Sequence, residues 1–538
     1  MRSGIIFSGL TFLAIAGFDP LAAQSLNQGY AAMDRGDFYA AFSAMRRLEQ
    51  AGDPNAARML EEVFLTPGTA APSPPVAPPA PSPSPAAAPR VVAPAPPIRM
   101  APAQSPRPQM RAARVRPLPP PLTDADFREI DAPLAAIGHL LFFDPILSGN
   151  RDTSCATCHH PRLGSGDGVS LGLGTGASGL GDARQPAGPH AASQRIPRNA
   201  PGLWNLGARE IHTLFHDGRL EIDPAQPDIR LSPQGPLGYL QLDSILAAQV
   251  LFPLIAVEEM SGRRGENPVA DAVHDERIHG DDGAWALLAA RIDAIAEYHA
   301  AFNSWRGATR AVQIDEIANA IAAFIEAEFR ADQTDFDAYL RELAAMSPEA
   351  GEGMRLFYGR ANCASCHSGP LLSDQKFHAM GQPPVGPGKI AGADGYTRDI
   401  GRGGVTLDAR DNFAFRTPML RNVMATGPWG HAGAFSDIRA FLRHHVDPVA
   451  GLAAYAPQAV LPELDAAEGD YAALDNAALM AEVSAAAARS MAGRPRISLR
   501  DDEIALLVTF LETLTDHAAL AGRRGVPESV PSGLEVAR

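Results

Sequence analysis

Two copies of the pattern Cys-x-x-Cys-His constrain this chain more than any other feature of its sequence. They are Cys155-Ala156-Thr157-Cys158-His159 and Cys363-Ala364-Ser365-Cys366-His367, and together they use all four cysteines. This spacing is typical of covalent c-type haem attachment, in which two cysteines form thioether bonds to the porphyrin and the adjoining histidine binds the iron. The sequence therefore predicts two covalent haem c groups, with His159 and His367 as the proximal iron ligands.

Two other uses of cysteine pairs compete with this interpretation. Four cysteines can bind one zinc ion, and a single Cys-x-x-Cys pair can act as a thioredoxin-type dithiol. Neither alternative explains a histidine directly after the second cysteine in both copies. If both haems are attached, no cysteine is left for a disulfide.

Residues 1–23 have the features of an export signal. Arg2 precedes an apolar run from Ile5 to Ala16, and the small residues Ala22 and Ala23 suit a signal-peptidase site. A membrane span needs about 20 apolar residues, so we expect no stable membrane span here. We therefore expect a periplasmic protein. The net charge of −15 also disfavours nucleic acid as a partner.

Two segments of different composition follow the predicted signal. Residues 24–66 predict a small helical module that resembles a single tetratricopeptide or Sel1-type repeat, and it is either a docking module or an orphan helical cap. Residues 67–122 are dominated by proline and alanine, with several arginines and no acidic residue. This composition cannot build a core, so we expect a disordered linker.

From residue 123 onward the pattern is mainly α-helical, with long loops rich in glycine and proline. Apolar residues recur on one face from Ile314 to Phe329, which predicts a helix, and Ser498 with Asp501 predicts a capping box before a later one. The two haem motifs suggest two cytochrome c-like domains. The expected fold class is mainly α, with an N-terminal haem domain at 123–340, a C-terminal haem domain at 341–520 and a tail at 521–538.

Several further segments occur in the order found in one known family. On these segments and the haem motifs, the chain resembles the bacterial dihaem cytochrome c peroxidase and MauG superfamily over roughly residues 123–520. The segments are Leu147-Ser148-Gly149-Asn150, Arg198-Asn199-Ala200-Pro201, Phe215-His216-Asp217-Gly218-Arg219, Pro253 to Met260, Cys363 to Pro370, Phe415-Arg416-Thr417-Pro418, Leu420-Arg421-Asn422-Val423 and Gly427-Pro428-Trp429-Gly430-His431-Ala432-Gly433.

The resemblance implies that hydrogen peroxide reacts at the first haem, while the second haem holds or relays electrons. Peroxide cleavage needs an open iron position and a group that moves a proton between the two oxygens. A match to the family's Pro-x5-Glu-Met pattern implies this role for Glu259, with Pro253 in the same pocket wall. Without the resemblance, Glu259 would be interpreted as a surface helix carboxylate.

The resemblance also suggests a distal ligand for the first haem. His190 precedes the Arg198 segment, where peroxidases carry a histidine that caps the first haem at rest. A glycine-rich insertion from Gly164 to Gly181 lengthens the spacing from His159. His190 is therefore either this cap or an exposed loop histidine.

The sixth ligand of the second haem departs from the family pattern. Relatives place a methionine or a tyrosine 14 positions after the histidine that corresponds to His431, and here that position is His445. Helix periodicity supports this ligand separately, because His445 shares a face with Ile438 and Phe441. His444 lies about 100° away on the helix and is expected to face water. The alternative for His445 is a core histidine bonded to a backbone carbonyl.

A second departure lies between the haems. The family usually has a tryptophan there that bridges electron transfer, whereas this chain has His216. Imidazole is a poorer relay than indole, so electron transfer is either slower or follows Trp204 or Trp429.

The resemblance finally implies a calcium ion between the domains, held by an asparagine side chain and backbone carbonyls. Asn199, Thr426 and Pro428 occupy the matching positions. Asn199 is equally typical of a turn.

These features predict an exported dihaem c-type oxidoreductase of the cytochrome c peroxidase or MauG type, with hydrogen peroxide as substrate. It either removes peroxide with electrons from a small periplasmic redox protein, or oxidises a partner protein as MauG does. A bis-histidine second haem should have a lower potential than a His-Met haem, which favours the MauG-like alternative. The rival from another class is a non-catalytic dihaem electron-transfer cytochrome. An adaptor that depends mainly on its N-terminal module is a third interpretation.

Overall fold

The computed structural model describes residues 116–223, 226–231, 237, 240–391, 397–464 and 469–538. The predicted export signal, the helical module and the linker up to residue 115 lie outside these residues. The described part is mainly helical, as the sequence predicts. Its α-helices are α1 Ala132–Phe143, α2 Cys155–Cys158, α3 Ile245–Val250, α4 Pro268–His274, α5 Ala284–Asp293, α6 Ala296–Arg306, α7 Ile314–Glu328, α8 Asp335–Leu340, α9 Pro348–Tyr358, α10 Gly403–Thr406, α11 Ile438–Val446, α12 Pro448–Ala453, α13 Ala477–Met491, α14 Asp501–Glu512 and α15 His517–Leu520.

The described strands are short and antiparallel. They form two-stranded sheets and one three-stranded sheet that brace loops rather than build a β-core. The pairs are β1 Ala177–Ser178 with β2 Gln185–Pro186, β6 Phe377–His378 with β9 Phe415–Arg416, and β7 Ile390–Ala391 with β8 Thr397–Arg398, while β3 Thr213–Leu214, β4 Leu220–Asp223 and β5 Gln226–Leu231 form the larger sheet.

The first hydrophobic core is built on the crossing of α1 and α7. Gly138 makes this crossing close, because a Cβ at that position would overlap the Ala320 carbonyl oxygen. Phe142 and Phe324 are fully buried beside the crossing, with ring centroids 5.0 Å apart. Cys155 of the first haem motif packs against the same core.

The second hydrophobic core is also built on a close helix crossing, which α9 and α14 form. Here a Cβ at Gly353 would overlap the Leu506 carbonyl oxygen. Phe510 is fully buried against Phe357, and Cys363 of the second haem motif packs against this core. Each haem motif therefore lies beside its own helix crossing.

The two helix predictions have different outcomes. The helix predicted from Ile314 to Phe329 is confirmed as α7, which ends one residue earlier. The capping box predicted from Ser498 is wrong, because α14 has Arg500 as its N-cap. The Arg500 amide donates to the Glu503 carboxylate over 2.9 Å, so the acidic partner three residues ahead determines the start.

The first and the last residues that the structure describes both pack against the hydrophobic cores. The Arg116 amide donates to the Tyr358 carbonyl over 2.9 Å, and Leu122 is 2% exposed. In the C-terminal segment 521–538, Val530 and Val536 are buried in the first core. The C-terminal segment, although it follows the second haem motif in sequence, therefore packs against the core beside the first haem motif.

Helices long and apolar enough to cross a membrane do not occur in the described residues.

Candidate active site

The first haem motif begins with one helical turn, α2. The turn puts Cys155 and Cys158 three residues apart on one face, and the His159 amide donates to the Cys155 carbonyl over 2.9 Å. Burial raises the pKa of both thiols to about 12. A thioredoxin-type dithiol needs a thiolate near neutral pH, so this pair lacks the property that such chemistry requires.

The second motif lies in the second core, so the four cysteines do not share one zinc site. Burial raises the pKa of Cys363 to about 12 as well. For Cys366, burial is outweighed by hydrogen bonds from His378 and Arg494, which lower its pKa to about 7. Cys366, Asp374 and His378 hold ligand atoms within 4.8 Å of one another, but the motif uses this sulfur for a thioether.

His159 is oriented by backbone carbonyls. Its Nδ1–H donates to the Ser165 carbonyl over 3.1 Å, and the Pro201 carbonyl also acts on the ring. Burial outweighs these contacts and lowers the pKa, so the ring is neutral at pH 7. Because Nδ1 carries the proton, Nε2 presents its lone pair, as an iron ligand must.

His367 repeats this arrangement in the second motif. Its Nδ1–H donates to the Leu372 carbonyl over 3.0 Å, and Pro418 takes the place that Pro201 has around His159. The sequence analysis named the segments that contain Pro201 and Pro418 but gave these two prolines no role. The structure shows that each supplies a carbonyl beside a proximal histidine.

One cavity brings together the residues predicted for the first haem site. Cys155, Cys158 and His159 line it together with Pro253, Glu259 and His216. Pro253 begins a 3-10 turn at Pro253–Ile255, and Glu259 lies on the π-helical turn Val257–Ser261 that follows. Such π-turns are frequent at functional sites.

Burial raises the pKa of the Glu259 carboxyl, while Arg219 and Lys389 oppose this shift. The Arg219 guanidinium lies 3.9 Å from the centre of the Phe215 ring, on the same cavity wall. Glu259 is therefore a buried carboxyl that lines the same cavity as two cations, which is a setting for proton transfer.

Cationic groups of the cavity fit the propionates of a haem. The Arg416 Nη1 atom is buried without a hydrogen-bond partner, and burial lowers the Arg416 pKa to about 10. Burial and the neighbouring Arg219 and Arg198 lower the Lys389 pKa to about 8. Two carboxylates would compensate these charges. Sequence reasoning missed Arg416 and Lys389, although Arg416 lies in a segment it had singled out.

Arg198, by contrast, has its charge compensated by the protein. It contacts Asp217 at 2.7 Å and Asp399 at 2.6 Å. Burial alone would raise the pKa of these carboxyls, but the guanidinium holds both well below their usual range. This buried network lies beside His216 and His431.

His216 reaches the first cavity from the loop between β3 and β4. Its Nε2–H donates to the Asn199 carbonyl over 3.2 Å, and burial lowers its pKa to about 3. The His216 carbonyl accepts the Arg416 amide. The tryptophans lie elsewhere: Trp204 packs in the first core and Trp429 against the second. The electron route between the haems stays a prediction.

The predicted ligands of the second haem are His367 and His445. The His445 Nδ1–H donates to the Phe441 carbonyl at 3.2 Å, which leaves Nε2 for a ligand. Burial, then the charges of His444 and His367, lower the His445 pKa to about 3. The arrangement favours His445 as the sixth ligand.

The prediction that His444 faces water is wrong. His444 is 1% exposed, its Nε2–H donates to the Met380 carbonyl over 2.7 Å, and its ring packs against Phe435. The other side of α11 is therefore covered too. Because this hydrogen bond occupies Nε2, His444 is the poorer candidate for the iron.

The structure does not bring His190 to the first haem motif. Its backbone carbonyl contacts Gly176 of the insertion, while its side chain is exposed. It lines a separate cavity of about 490 Å³ with Asn150, Arg151 and Arg291.

The side chains predicted to bind calcium make hydrogen bonds to backbone carbonyls of the protein. Asn199 Nδ2 donates to the Val169 and Ser170 carbonyls, and the Thr426 hydroxyl donates to the Val423 carbonyl. Pro428 follows a cis peptide bond. Calcium binding stays a prediction.

Comparison with known proteins finds several relatives of this chain. The family model described as di-haem cytochrome c peroxidase matches residues 132–345. The methylamine utilization protein MauG of Methylorubrum extorquens is 28% identical over 315 residues, which is 58% of this chain and 68% of that protein. The cytochrome c551 peroxidase of Pseudomonas aeruginosa is 25% identical over 330 residues, 61% of this chain and 76% of that protein.

A second MauG, from Paracoccus denitrificans, is 27% identical over 417 residues, 72% of this chain and 90% of its own. A crystal structure of a MauG-like protein associated with microbial copper homeostasis is 22% identical, with a TM-score of 0.47, over 77% of this chain and 97% of that chain. The family model and the curated relatives confirm the resemblance seen in the sequence and imply two haem c groups. The chain is therefore similar to members of the dihaem cytochrome c peroxidase and MauG superfamily, and the family model places this similarity at residues 132–345.

Proposed function

We propose that this chain is an exported dihaem c-type oxidoreductase that reacts with hydrogen peroxide at the first haem and relays electrons through the second. The observation that carries the proposal is the cavity shared by His159, the predicted proximal ligand, and Glu259, a buried carboxyl. The names of curated relatives, which include cytochrome c551 peroxidase, support it.

Within this cavity the residues have distinct roles. Arg416 and Lys389 would hold the propionates, and the His159 Nε2 atom would bind the iron. When bound, the haem supplies a metal centre that accepts a peroxide oxygen and changes its oxidation state. The Glu259 carboxylate takes the proton from the near peroxide oxygen, and the carboxylic acid returns it to the far oxygen, which departs as water. Burial raises the Glu259 pKa towards the operating pH, as acid–base catalysis requires.

Glu259→Gln tests this role, because the amide keeps the shape of the side chain and cannot accept the proton. We expect the peroxide reaction of the first haem, followed by stopped-flow absorbance, to slow by about 10²- to 10⁴-fold. Glu258→Gln is the matched control, since Glu258 lies on the same π-turn outside the cavity lining. Equal rates in the two variants would remove Glu259 from the mechanism.

Two alternative functions are distinguished by the ligands and the peroxide reactivity of the two haem irons. A bis-histidine second haem, supported by the position of His445, favours MauG-like oxidation of a partner protein over simple peroxide removal. An electron paramagnetic resonance spectrum of the haem-loaded protein separates both from a non-catalytic cytochrome. One high-spin and one low-spin ferric signal, both lost on addition of peroxide, supports the enzyme. Two low-spin signals that persist, even after partial reduction, support the electron-transfer cytochrome.

The proposed setting is the periplasm, with a small redox protein as electron donor or a protein as substrate. The signal-like composition of residues 1–23 supports export.

The proposal includes a calcium ion at Asn199, Thr426 and Pro428. Metal analysis after dialysis against a calcium chelator, compared with a chelator-treated Asn199→Ala variant, tests the ion.

A further inference from the structure

The glycine-rich insertion packs directly onto the backbone that carries Glu259. A Cβ at Gly174 would overlap the carbonyl oxygens of Glu258 and Glu259, so only glycine allows this approach. The next residue, Thr175, donates its amide to the Glu259 carbonyl over 3.0 Å. The insertion therefore makes a backbone hydrogen bond to the residue with the predicted catalytic role.

One buried arginine fixes the insertion in this position. Arg184 is 5% exposed, and its Nε and Nη2 donate to the Leu173 and Gly174 carbonyls over 2.5 and 2.6 Å. Nη1 donates to the Gly179 carbonyl over 3.0 Å. A planar guanidinium with several fixed donors can hold three carbonyls of one loop at once.

The same arginine ties the insertion to the first haem motif. Its Nη2 also donates to the Thr153 hydroxyl over 3.0 Å, two residues before Cys155. On the other side, the Asp152 carboxylate accepts the Gly176 amide over 2.7 Å. The insertion thus links the segment before the haem motif to the π-turn of Glu259.

We infer that Gly174 and Arg184 are positioning residues, which clamp the insertion onto the π-turn and so place the Glu259 carboxyl against the first haem. The inference rests on the proposed function, because it assumes that Glu259 moves the proton. A side chain that must lie within hydrogen-bond reach of a reacting oxygen depends on the placement of its own Cα. Thr175 fixes the peptide plane next to that Cα.

A matched pair of glycine variants tests the clamp. Gly174→Ala introduces the overlap with the π-turn, whereas a Cβ at Gly166, in the same insertion, would lie 3.4 Å from the Ala200 carbonyl oxygen, an ordinary van der Waals contact. We expect Gly174→Ala to slow the peroxide reaction by about 10- to 100-fold. We expect Gly166→Ala to react like the unmodified protein. Haem content and the reduction potentials of both haems should be the same in the two variants.

Equal peroxide rates for Gly174→Ala and Gly166→Ala would overturn the inference. If Glu259→Gln is also fast, the proposed function fails with it. If Glu259→Gln is slow while Gly174→Ala is fast, only the clamp fails. Should Gly174→Ala not load haem, Arg184→Lys and Arg184→Ala give the same comparison, with partial activity expected only for lysine, which keeps a donor. Equal rates for these two variants would contradict the inference.

Hydrogen exchange of the unmodified haem-loaded protein provides a readout that needs no turnover. The Thr175 amide should exchange slowly, because it is bonded to the Glu259 carbonyl, and Arg184→Ala should speed its exchange. Exchange at the rate of an exposed loop in the unmodified protein would overturn the inference.

Discussion

At the residue scale, the histidines predicted to bind iron share one arrangement of ring nitrogens. His159, His367 and His445 each donate Nδ1–H to a backbone carbonyl, so Nε2 presents a lone pair. His444 instead bonds through Nε2 to Met380. The neighbouring histidines of α11 are thus distinguished by which nitrogen is engaged, a difference that their sequence positions do not reveal.

His445→Met should raise the reduction potential of the second haem, because a thioether favours ferrous iron. We expect a rise of about 0.1–0.3 V, within the roughly 0.8 V range that axial ligands span. A spectroelectrochemical titration measures it. His444→Met is the control, and its potential should stay near that of the unmodified protein. If only the His444 variant moves, the ligand assignment is reversed.

His431 should make stability depend on pH. Burial lowers its pKa to about 4, against Asp399, which raises it. In the unfolded chain the ring has its ordinary pKa near 6.5 and binds a proton first, so stability falls as pH drops from 6.5 towards 4. His431→Gln should reduce the loss of stability between pH 7 and pH 5 by about 2 kcal/mol.

Denaturant unfolding of the haem-loaded protein at both pH values measures this difference. His274→Gln, a change at an exposed histidine, is the control and should keep the original pH dependence. The idea fails if His431→Gln and His274→Gln show the same slope with pH.

At the element scale, each core depends on two helices that cross at a glycine. Gly138 on α1 and Gly353 on α9 both face a carbonyl oxygen of the opposite helix. Such crossings bring the haem motifs close to rigid helices, since Cys155 and Cys363 pack against these cores. Rigid support keeps the predicted ligands in place.

Two glycines of α9 provide a direct test of this role. Gly353→Ala should destabilise the protein by about 1–3 kcal/mol, because the added methyl overlaps the Leu506 carbonyl. Gly351→Ala should stabilise it by about 0.5–1 kcal/mol, because only the flexible Arg355 Nη1 lies near, at 3.9 Å. Denaturant unfolding measures both. Similar effects of the two changes would show that the crossing is not tight.

Local patterns predicted these elements better than their ends or their partners. The apolar residues of α7 recur on one face in successive turns, and this local pattern was sufficient to predict the helix. The cap of α14 was misplaced by two residues, since Ser498 and Arg500 compete for a start within one turn. Met380 covers His444 from a distant part of the chain, and no local pattern carries that contact.

The same distinction applies to the candidate site. Motif spacing predicted His159 and His367, and the family pattern predicted Glu259 and Pro253, which the structure brings to one cavity with the first motif. Arg416 and Lys389 were missed because their role depends on burial, which lowers the pKa of both side chains. Such a property exists only after folding.

At the scale of the whole molecule, the C-terminal residues make hydrogen bonds to the helices of the first core. The Ser532 hydroxyl donates to Asp144 over 2.6 Å, and the His139 Nε2–H donates to the Gly525 carbonyl over 2.8 Å. Glu328 at the end of α7 accepts the Arg523 amide. The residues after the second haem motif therefore stabilise the core around the first.

The double change Val530→Ala and Val536→Ala should destabilise the first core. Both valines are buried there, and the loss should be about 2–3 kcal/mol in total. Thermal unfolding followed at the absorbance of each haem measures it. Leu343→Ala, at a 76% exposed site, is the control. An unchanged unfolding midpoint in the double variant would mean that the segment only rests on the surface.

The high pKa of the Cys155 and Cys158 thiols also bears on whether haem attachment precedes folding. With pKa values of about 12, the Cys155 and Cys158 thiols that line the first cavity would be almost entirely protonated at pH 7. A folded chain could hardly form thioether bonds there. Attachment therefore has to come first, while the chain is still open, and folding then encloses a prosthetic group that is already bonded. We therefore expect a chain that folds before haem attachment to remain without covalently bound haem at this site.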